Sequence, residues 1–315
     1  MLWYILGGVG ALGVLILLGG YVAFHIALVR RKTKDFTEIP RFKETYADYL
    51  PWMTKATADW RTEPFEAVSI TSFDGLKLAA RLYDIENPRG TAILCHGYRA
   101  NCQRDFGCGY AMYRRMGYRV LAVDNRAAGQ SEGMIIGMGV LERHDCAAWA
   151  WYVHDRFGEA SPIFLCGLSM GAATVMMAPS LPLPANVRAI SADCGFTSGQ
   201  EIVAKVIRED FHLPAGLILP LINAYCRLLK GFTLHDCTAT ETLRHCTIPV
   251  IFLHGVQDGF VPAYMSERNF EACASKKQLI LVEKADHGMS YLMEPERCEA
   301  ALRAFFDAAC EEDAP

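Results

Sequence analysis

Three residues whose types together permit nucleophilic catalysis follow one another along the second half of the chain. The first is Ser169, which stands between two glycines in the pattern Gly167-x-Ser169-x-Gly171, after a short apolar run and before a segment rich in Ala and Met. An apolar run of this length predicts a strand, and Ala and Met favour a helix. The pattern therefore predicts a strand, a sharp turn and a helix, with the serine on a strained corner and glycines that let neighbouring backbone approach it.

A serine hydroxyl is a weak nucleophile at neutral pH, so it needs a base to take its proton and an acid to orient that base. His287 lies in a turn just past the last predicted strand, and Asp258 lies just past the strand before it. Because catalytic groups gather at the carboxyl ends of parallel strands, we predict a triad of Ser169, Asp258 and His287. Asp193, which follows another strand, is the alternative acid, whereas Asp286 is expected to point away from the base.

Acyl transfer by such a triad creates an oxyanion, which needs hydrogen-bond donors already in place. The backbone N–H of Met170, next after the nucleophile, is predicted as one donor, and that of Tyr98, in the loop after the third strand, as the other. The same loop contains His96, Gly97 and Arg99, which are predicted to contact the substrate. A solvated loop arginine is the alternative interpretation of Arg99.

The segments between these residues alternate between strand and helix patterns. Two antiparallel strands over 66–72 and 77–83, joined by a hairpin turn, start the domain. Further strands are predicted at 91–95, 119–124, 162–166, 187–192, 248–254 and 278–283, and helices at about 106–116, 140–157 and 295–309. Such alternation predicts an α/β fold, a mostly parallel eight-stranded sheet with helices on both faces.

The interval from about 195 to 247 breaks this alternation, because it contains apolar, partly helical sequence and no clear strand. A structureless loop of that length would be unusual, so we predict an inserted helical cap. Its apolar residues either line a substrate pocket or pack against the sheet.

The start of the chain predicts a transmembrane anchor. Leu2 to Val29 contains no Asp, Glu, Lys or Arg, and the run exceeds the ~20 residues that cross a bilayer's hydrocarbon core. Because basic residues follow the run rather than precede it, a retained anchor is favoured over a cleaved secretory signal. The predicted organisation is an anchor over 1–30, a linker or packing segment over 31–64, and a catalytic domain over 65–315.

The basic cluster that follows the apolar run predicts that the large domain lies on the cytoplasmic side of the membrane. The chain has 12 Cys and no C-x-x-C pair, so neither a zinc site nor a disulfide framework is predicted. A net charge of -4 gives no argument for nucleic-acid binding. The expected partners are the membrane and a small ester or short peptide, and no metal or organic cofactor is expected.

From about residue 65 to its end, the chain resembles the α/β-hydrolase superfamily. The resemblance rests on these residues: His96-Gly97 after the third strand, residues 124–131 after the fourth, Gly167-x-Ser169-x-Gly171, Asp258 and His287. The chain is most similar to a group of bacterial, often membrane-anchored serine hydrolases related to cinnamoyl-ester hydrolases and to catalytic domains of the prolyl-oligopeptidase type. The family usually has Gly-His-Gly where Ala127-Ala128-Gly129 stands here, so the shape of this loop is expected to differ.

The resemblance implies an α/β-hydrolase fold and a serine hydrolase that works through an acyl-enzyme. Carboxylic esters are the first expected substrates, and peptides cleaved by the same triad are the second. A membrane-tethered binding protein without catalytic activity is the third hypothesis.

Overall fold

The computed structural model describes residues 2–32 and 46–311, and its centre is an eight-stranded sheet. The strands are β1 (Glu66–Thr71), β2 (Lys77–Tyr83), β3 (Thr91–Cys95), β4 (Arg119–Val123), β5 (Ile163–Leu168), β6 (Val187–Asp193), β7 (Val250–Gly255) and β8 (Lys277–Val282). They lie in the order β1-β2-β4-β3-β5-β6-β7-β8. The pairs β1–β2 and β2–β4 are antiparallel and the other pairs are parallel, which confirms the predicted sheet.

Helices cover both faces of the sheet. They are α1 (Leu2–Leu28), α2 (Leu50–Thr62), α3 (Cys102–Asp105), α4 (Gly107–Arg115), α5 (Glu142–Phe157), α6 (Met170–Met177), α7 (Gly199–Glu209), α8 (Ala215–Lys230), α9 (Ala239–Leu243), α10 (Tyr264–Ala272), α11 (Ser290–Met293) and α12 (Pro295–Glu311). The predicted cap interval, 195–247, is described throughout and holds α7, α8 and α9 and no strand.

The central strands are continuous apolar runs because they are covered on both sides. Every residue of β3 and of β4 is buried. One apolar cluster, which includes Trp149 of α5 and Met176 of α6, lies on the first face of the sheet. A second cluster, which includes Phe164 and Phe306, lies on the other face, where α2, α4 and α12 pack. The two clusters hold the carboxyl ends of the parallel strands at one edge.

The described part of the predicted linker packs on the domain. In α2, Met53 and Trp60 are buried, and the Trp60 ring stacks on Tyr110 of α4 with ring centroids 4.3 Å apart. The hydroxyl oxygen of Tyr46 accepts a hydrogen bond from the backbone N–H of Asp286 at 2.7 Å. Residues 33–45 of that predicted segment lie outside the described residues.

The helix α1 is long and apolar enough to cross a membrane, with a mean hydropathy of 2.2 over Gly10–Leu28, and a signal sequence meets the same criteria. Its last third also packs on the domain, because Phe24 and Leu28 are buried in the first cluster. Gly20 permits close contact with α8, since a Cβ atom on Gly20 would lie 2.7 Å from the Cβ of Leu221.

Candidate active site

The turn between β5 and α6 carries Ser169 in a strained conformation. Its φ is 57° and its ψ is -116°, a region that non-glycine residues rarely adopt. The flanking glycines are required by close packing: a Cβ on Gly171 would lie 1.8 Å from the carbonyl oxygen of Cys95, and one on Gly167 would lie 2.2 Å from that of Gly171. The motif therefore has the strand, sharp turn and helix that its spacing predicts.

The structure brings the three predicted triad residues together. The Nε2 atom of His287 lies 2.9 Å from the Oγ of Ser169, and its Nδ1 atom lies 2.7 Å from Oδ2 of Asp258. A carboxylate can only accept hydrogen bonds, so Nδ1 carries the hydrogen and Nε2 is left to accept the serine proton. This is the arrangement that general-base activation of a serine requires.

The surroundings of Asp258 keep its carboxylate ionised. Its Oδ1 accepts hydrogen bonds from the backbone N–H groups of Phe260 at 2.9 Å and Val261 at 2.8 Å. Burial by itself would raise the pKa of the Asp258 carboxyl, but hydrogen bonds from His254 and His287 outweigh burial and hold this pKa well below its usual range. A fixed negative charge therefore faces Nδ1 of His287, where it can stabilise an imidazolium.

His254, at the end of β7, is a member of this site that the sequence did not single out. It is fully buried; its Nε2 lies 2.8 Å from the carbonyl oxygen of Val261 and 3.3 Å from Oδ2 of Asp258, and its Nδ1 lies 2.6 Å from Oγ of Ser266. The carbonyl accepts, so Nε2–H is the donor and the Ser266 hydroxyl donates to Nδ1. The signal that points to it is a histidine in a buried strand four residues before Asp258, since a buried polar group needs partners.

Asp193, the alternative acid, and Asp286 have other partners in the structure. The Oδ1 of Asp193 accepts a hydrogen bond from Oγ of Ser290 at 3.1 Å, and burial raises the pKa of Asp193 to about 6. Asp286 accepts hydrogen bonds from the backbone N–H groups of His287, at 2.8 Å, and Gly259, at 3.2 Å. The carboxylate that contacts the His287 ring is therefore that of Asp258.

The loop after β3 adjoins the nucleophile. A Cβ on Gly97 would lie 3.3 Å from the Cβ of Ser169, and the N–H of Gly97 is bound by Oδ2 of Asp105 at 2.7 Å. Met170 is the first residue of α6, whose first N–H groups have no partner within the helix. The two predicted oxyanion donors, the amides of Tyr98 and Met170, thus belong to the residues that follow Gly97 and Ser169.

His96 was predicted to contact substrate, and its burial corrects that role. Only 1% of its surface is exposed, and it is not among the residues that line the cavity beside Ser169 and His287. Its Nδ1 donates to the carbonyl oxygen of Gly97 at 2.8 Å, its Nε2 accepts from the N–H of Asn125 at 3.1 Å, and burial lowers its pKa. His96 therefore fastens the loop after β3 to the end of β4.

The Arg99 and Tyr98 side chains bind the end of α1, a role that the sequence did not suggest. Arg99 donates to the carbonyl oxygens of Ile26 at 2.7 Å and Val29 at 2.8 Å, and the Tyr98 hydroxyl donates to that of Ala27 at 2.5 Å. The last carbonyls of a helix lack partners within it, and a cation there is favourable. Arg99 is thus not a fully solvated loop residue. Part of its guanidinium is bound to backbone carbonyls, so not all of its N–H donors are available to a substrate carboxylate.

The loop after β4, where the sequence departs from the family pattern, also binds the segment that follows α1. Ala127 has a φ of 59° and Gly129 a φ of 48°. The guanidinium of Arg30 donates to the carbonyl oxygens of Ser131 at 2.8 Å and Gly129 at 2.6 Å. The changed loop therefore holds Arg30, two residues past the end of α1.

A pocket of about 530 Å³ lies beside Ser169 and His287. Its apolar lining includes the following side chains: Met53, Phe106, Met112, Leu168, Phe260 and Met289. Its basic lining consists of Arg31, Lys32, Arg99 and Arg104, of which Arg31 and Lys32 are exposed. Such a pocket suits an apolar group joined to a polar or anionic one.

Among the described residues, three side chains with metal-ligand atoms gather within 4.8 Å of one another, those of Cys194, Asp258 and His287. Two of them are already bonded to each other at 2.7 Å. Burial raises the pKa of the Cys194 thiol well above its usual value, which disfavours the thiolate that binds metals. The geometry of this cluster fits a proton relay better than a metal site.

Comparison with known proteins agrees with the fold described above. The family model described as serine aminopeptidase, S33, matches residues 86–190, a stretch that contains Ser169 but ends before Asp258 and His287. The structure is similar to that of the esterase Pf2001 from Pyrococcus furiosus, with a TM-score of 0.63, 20% identity, and coverage of 79% of this chain and 94% of that one. The chain has the α/β-hydrolase fold.

Two further proteins are similar to this chain in sequence. The uncharacterized protein YqkD of Bacillus subtilis (strain 168) is 26% identical over 96% of this chain and 97% of its own. The caffeoylshikimate esterase of Arabidopsis thaliana is 23% identical over 68% of this chain and 76% of its own. Of these two relatives, the name of one states an activity, that of an esterase.

Proposed function

We propose that this hydrolase is a serine esterase that cleaves carboxylic esters through an acyl-enzyme. The observation that supports the proposal most directly is the hydrogen-bonded series of Ser169, His287 and Asp258, with contacts of 2.9 Å and 2.7 Å. The Ser169 hydroxyl is 2.9 Å from a ring nitrogen able to accept its proton, and the base is oriented by a carboxylate.

In the proposed reaction the Ser169 oxygen attacks the ester carbonyl carbon while its proton passes to Nε2 of His287. The carbonyl oxygen becomes an oxyanion, which the amides of Met170 and Tyr98 are proposed to bind. The C–O bond to the leaving group then breaks, and Nε2 returns the proton to the alcohol. Water, deprotonated by the same nitrogen, attacks the acyl-enzyme, and its proton returns to Ser169 as the acid leaves.

The charge of the pocket favours esters over peptides with a free N-terminus. An α-ammonium group needs a carboxylate, and the acidic side chains of the lining are Asp105, Asp193 and Asp286. Asp105 is bound to Arg104 at 2.9 Å and to the Gly97 amide. The other two accept the hydrogen bonds described above, and four basic side chains line the same pocket.

The family model described as a serine aminopeptidase supports the peptidase alternative, and the name of the caffeoylshikimate esterase supports the ester. A panel of p-nitrophenyl esters of increasing acyl length, set beside aminoacyl p-nitroanilides, separates the two. We expect higher kcat/KM for the esters, and a loss of at least about 10³-fold in Ser169→Ala. Faster cleavage of the anilides would favour the peptidase, and no cleavage by folded protein would favour the binding protein.

A further inference from the structure

The exposure of α1 divides it into two parts. Residues 10–19 are exposed, whereas Gly20, Phe24 and Leu28 are buried against the domain. At 1.5 Å per residue, the part from Leu2 to Gly19 is about 27 Å long, close to the ~30 Å of a bilayer's hydrocarbon core. If this part crosses a membrane, the docked part stands at the membrane surface on the side of the domain.

The helix α8 lies beside α1 beyond the docked part. The Tyr225 ring contacts the Tyr21 ring with centroids 5.6 Å apart, and the Tyr225 hydroxyl donates to the carbonyl oxygen of Leu17 at 2.9 Å. Leu17 belongs to the exposed part of α1. The second half of α8 therefore runs beside the exposed part of α1, which is the part predicted to cross the membrane.

The face of α8 that touches α1 continues as exposed leucines. At 3.6 residues per turn, Leu217 and Leu228 lie within about 40° of Leu221, which contacts Gly20. Leu217 is 72% exposed and Leu228 is 78% exposed. These two side chains extend the α1–α8 contact in both directions along α8.

Exposed leucines are confined to this side of the molecule. Among residues whose exposure is described, they are Leu12, Leu15, Leu17 and Leu18 of α1, and Leu213, Leu217, Leu228 and Leu229 in or beside α8. A contiguous exposed apolar surface marks an interaction site, and this one is continuous with a helix able to cross a bilayer. Lipid is therefore the occupant that this surface fits.

The pocket opens next to the same surface. The side chains of Tyr98 and Arg99, in the loop beside Ser169, bind the last carbonyls of α1, and Arg31 and Lys32 line the pocket directly after α1 ends. Basic residues at that level attract anionic lipid headgroups. The basic end of the pocket thus lies directly after the docked part of α1, on the side of the predicted membrane that holds the domain.

We infer that the α1–α8 face lies against the bilayer and that the pocket takes its substrate from it. The substrate class is an acyl ester of a membrane amphiphile, with its apolar part among the Met and Phe side chains of the pocket and its polar, preferably anionic, part at Arg31 and Lys32. This substrate class rests on the proposed esterase function, whereas the membrane-facing surface does not.

The surface is tested without reference to catalysis. The full chain is reconstituted in phosphatidylcholine liposomes as Leu228→Trp, with Ala304→Trp, at an exposed position of α12, as the control. We expect the fluorescence added by Leu228→Trp to be quenched by doxyl-labelled lipid and not by acrylamide, and the reverse for Ala304→Trp. Quenching of Leu228→Trp by acrylamide, or by neither reagent as in a contact with a second copy, would overturn the inference.

Substrate supply is tested with Leu217→Glu/Leu228→Glu and a control of equal charge, Ala300→Glu/Ala304→Glu, whose positions are exposed on the opposite face of the sheet. The first pair should lower hydrolysis of a bilayer-resident fluorogenic acyl ester about tenfold and leave that of soluble p-nitrophenyl butyrate unchanged. Equal rates on the bilayer ester would overturn the inference. If Leu228→Trp is quenched by lipid but the wild type hydrolyses neither ester, the proposed esterase function and the substrate class are contradicted, and the membrane-facing surface is supported.

Discussion

The Ser169 hydroxyl stands at the end of a hydrogen-bonded series longer than three residues. Ser266 donates to His254, His254 faces Asp258, and Asp258 binds His287, with contacts of 2.6, 3.3 and 2.7 Å. The Asp258 carboxylate and the Val261 carbonyl can only accept hydrogen bonds, and the Ser266 hydroxyl has one hydrogen to donate, so the direction of each hydrogen bond is determined. The His287 imidazole is therefore held in one orientation and one tautomer by residues from the end of β7, the loop after it and α10.

Asp258 and Asp193, which both lie at this edge of the sheet, should respond differently to loss of charge. Asp258→Asn removes the carboxylate that fixes the His287 tautomer, and we expect kcat to fall by about 10⁴-fold. Asp193→Asn keeps an oxygen for Ser290, and we expect a change of less than about tenfold. Steady-state kinetics on a p-nitrophenyl ester provides the measurement. A greater loss in Asp193→Asn would move the acid to that position.

The pH dependence of stability should report the burial of Asp193. Its pKa rises from 3.8 to about 6 on folding, so the folded state binds the proton more tightly than the unfolded state. The stabilisation that this tighter proton binding gives the folded state is fully present below pH 4 and is lost as pH rises through about 6. The change in the free energy of unfolding caused by Asp193→Asn should therefore be more favourable at pH 8 than at pH 4, by up to about 3 kcal/mol. Denaturant unfolding at both pH values tests this, and an equal effect at the two would contradict it.

The turn between β5 and α6 needs its glycines because neighbouring backbone leaves no room for a Cβ atom. Gly171→Ala would place a Cβ 1.8 Å from the carbonyl oxygen of Cys95, a backbone atom of β3 that cannot move away alone. We expect this variant not to yield folded protein. Gly216→Ala in α8, where nothing lies within 4 Å of the new Cβ, is the matched control. It should raise the free energy of unfolding by ~0.5–1 kcal/mol, and a folded Gly171→Ala with unchanged melting temperature would refute the packing argument.

Strands and their ends could be read from the sequence because each is a short run with its own pattern. Burial on both faces makes β3 and β4 continuously apolar, and polar residues follow directly where each strand stops. That is why Ser169, Asp258 and His287 could be grouped before any coordinates. The bonds of His254 and Arg99 could not, because they join segments distant in sequence and leave no periodic signal.

At the scale of the whole molecule, the predicted anchor is also part of the domain. Phe24 and Leu28 lie in the same apolar cluster as the sheet. The sequence predicted an apolar helix followed by a linker, but composition alone did not show that the helix end packs on α8 and on the loop beside Ser169. The predicted anchor and the candidate active site are therefore part of one packing unit.

The orientation proposed for the chain, with the catalytic domain in the cytoplasm, rests on Arg30, Arg31, Lys32 and Lys34 after the apolar run. Protease added to intact cells should leave the domain uncut, and it should cut the domain once the membrane is permeabilised. Digestion in intact cells with cytoplasmic proteins still protected would contradict this orientation.

The most direct test of the proposed serine hydrolase is covalent labelling of the folded chain by a fluorophosphonate, followed by peptide mass spectrometry. The relay from Asp258 through His287 predicts a single phosphonyl adduct on Ser169, absent from Ser169→Ala and strongly reduced in Asp258→Asn. The absence of an adduct on the folded wild-type chain would contradict this proposal, and so would labelling of Ser169→Ala as strong as that of the wild type.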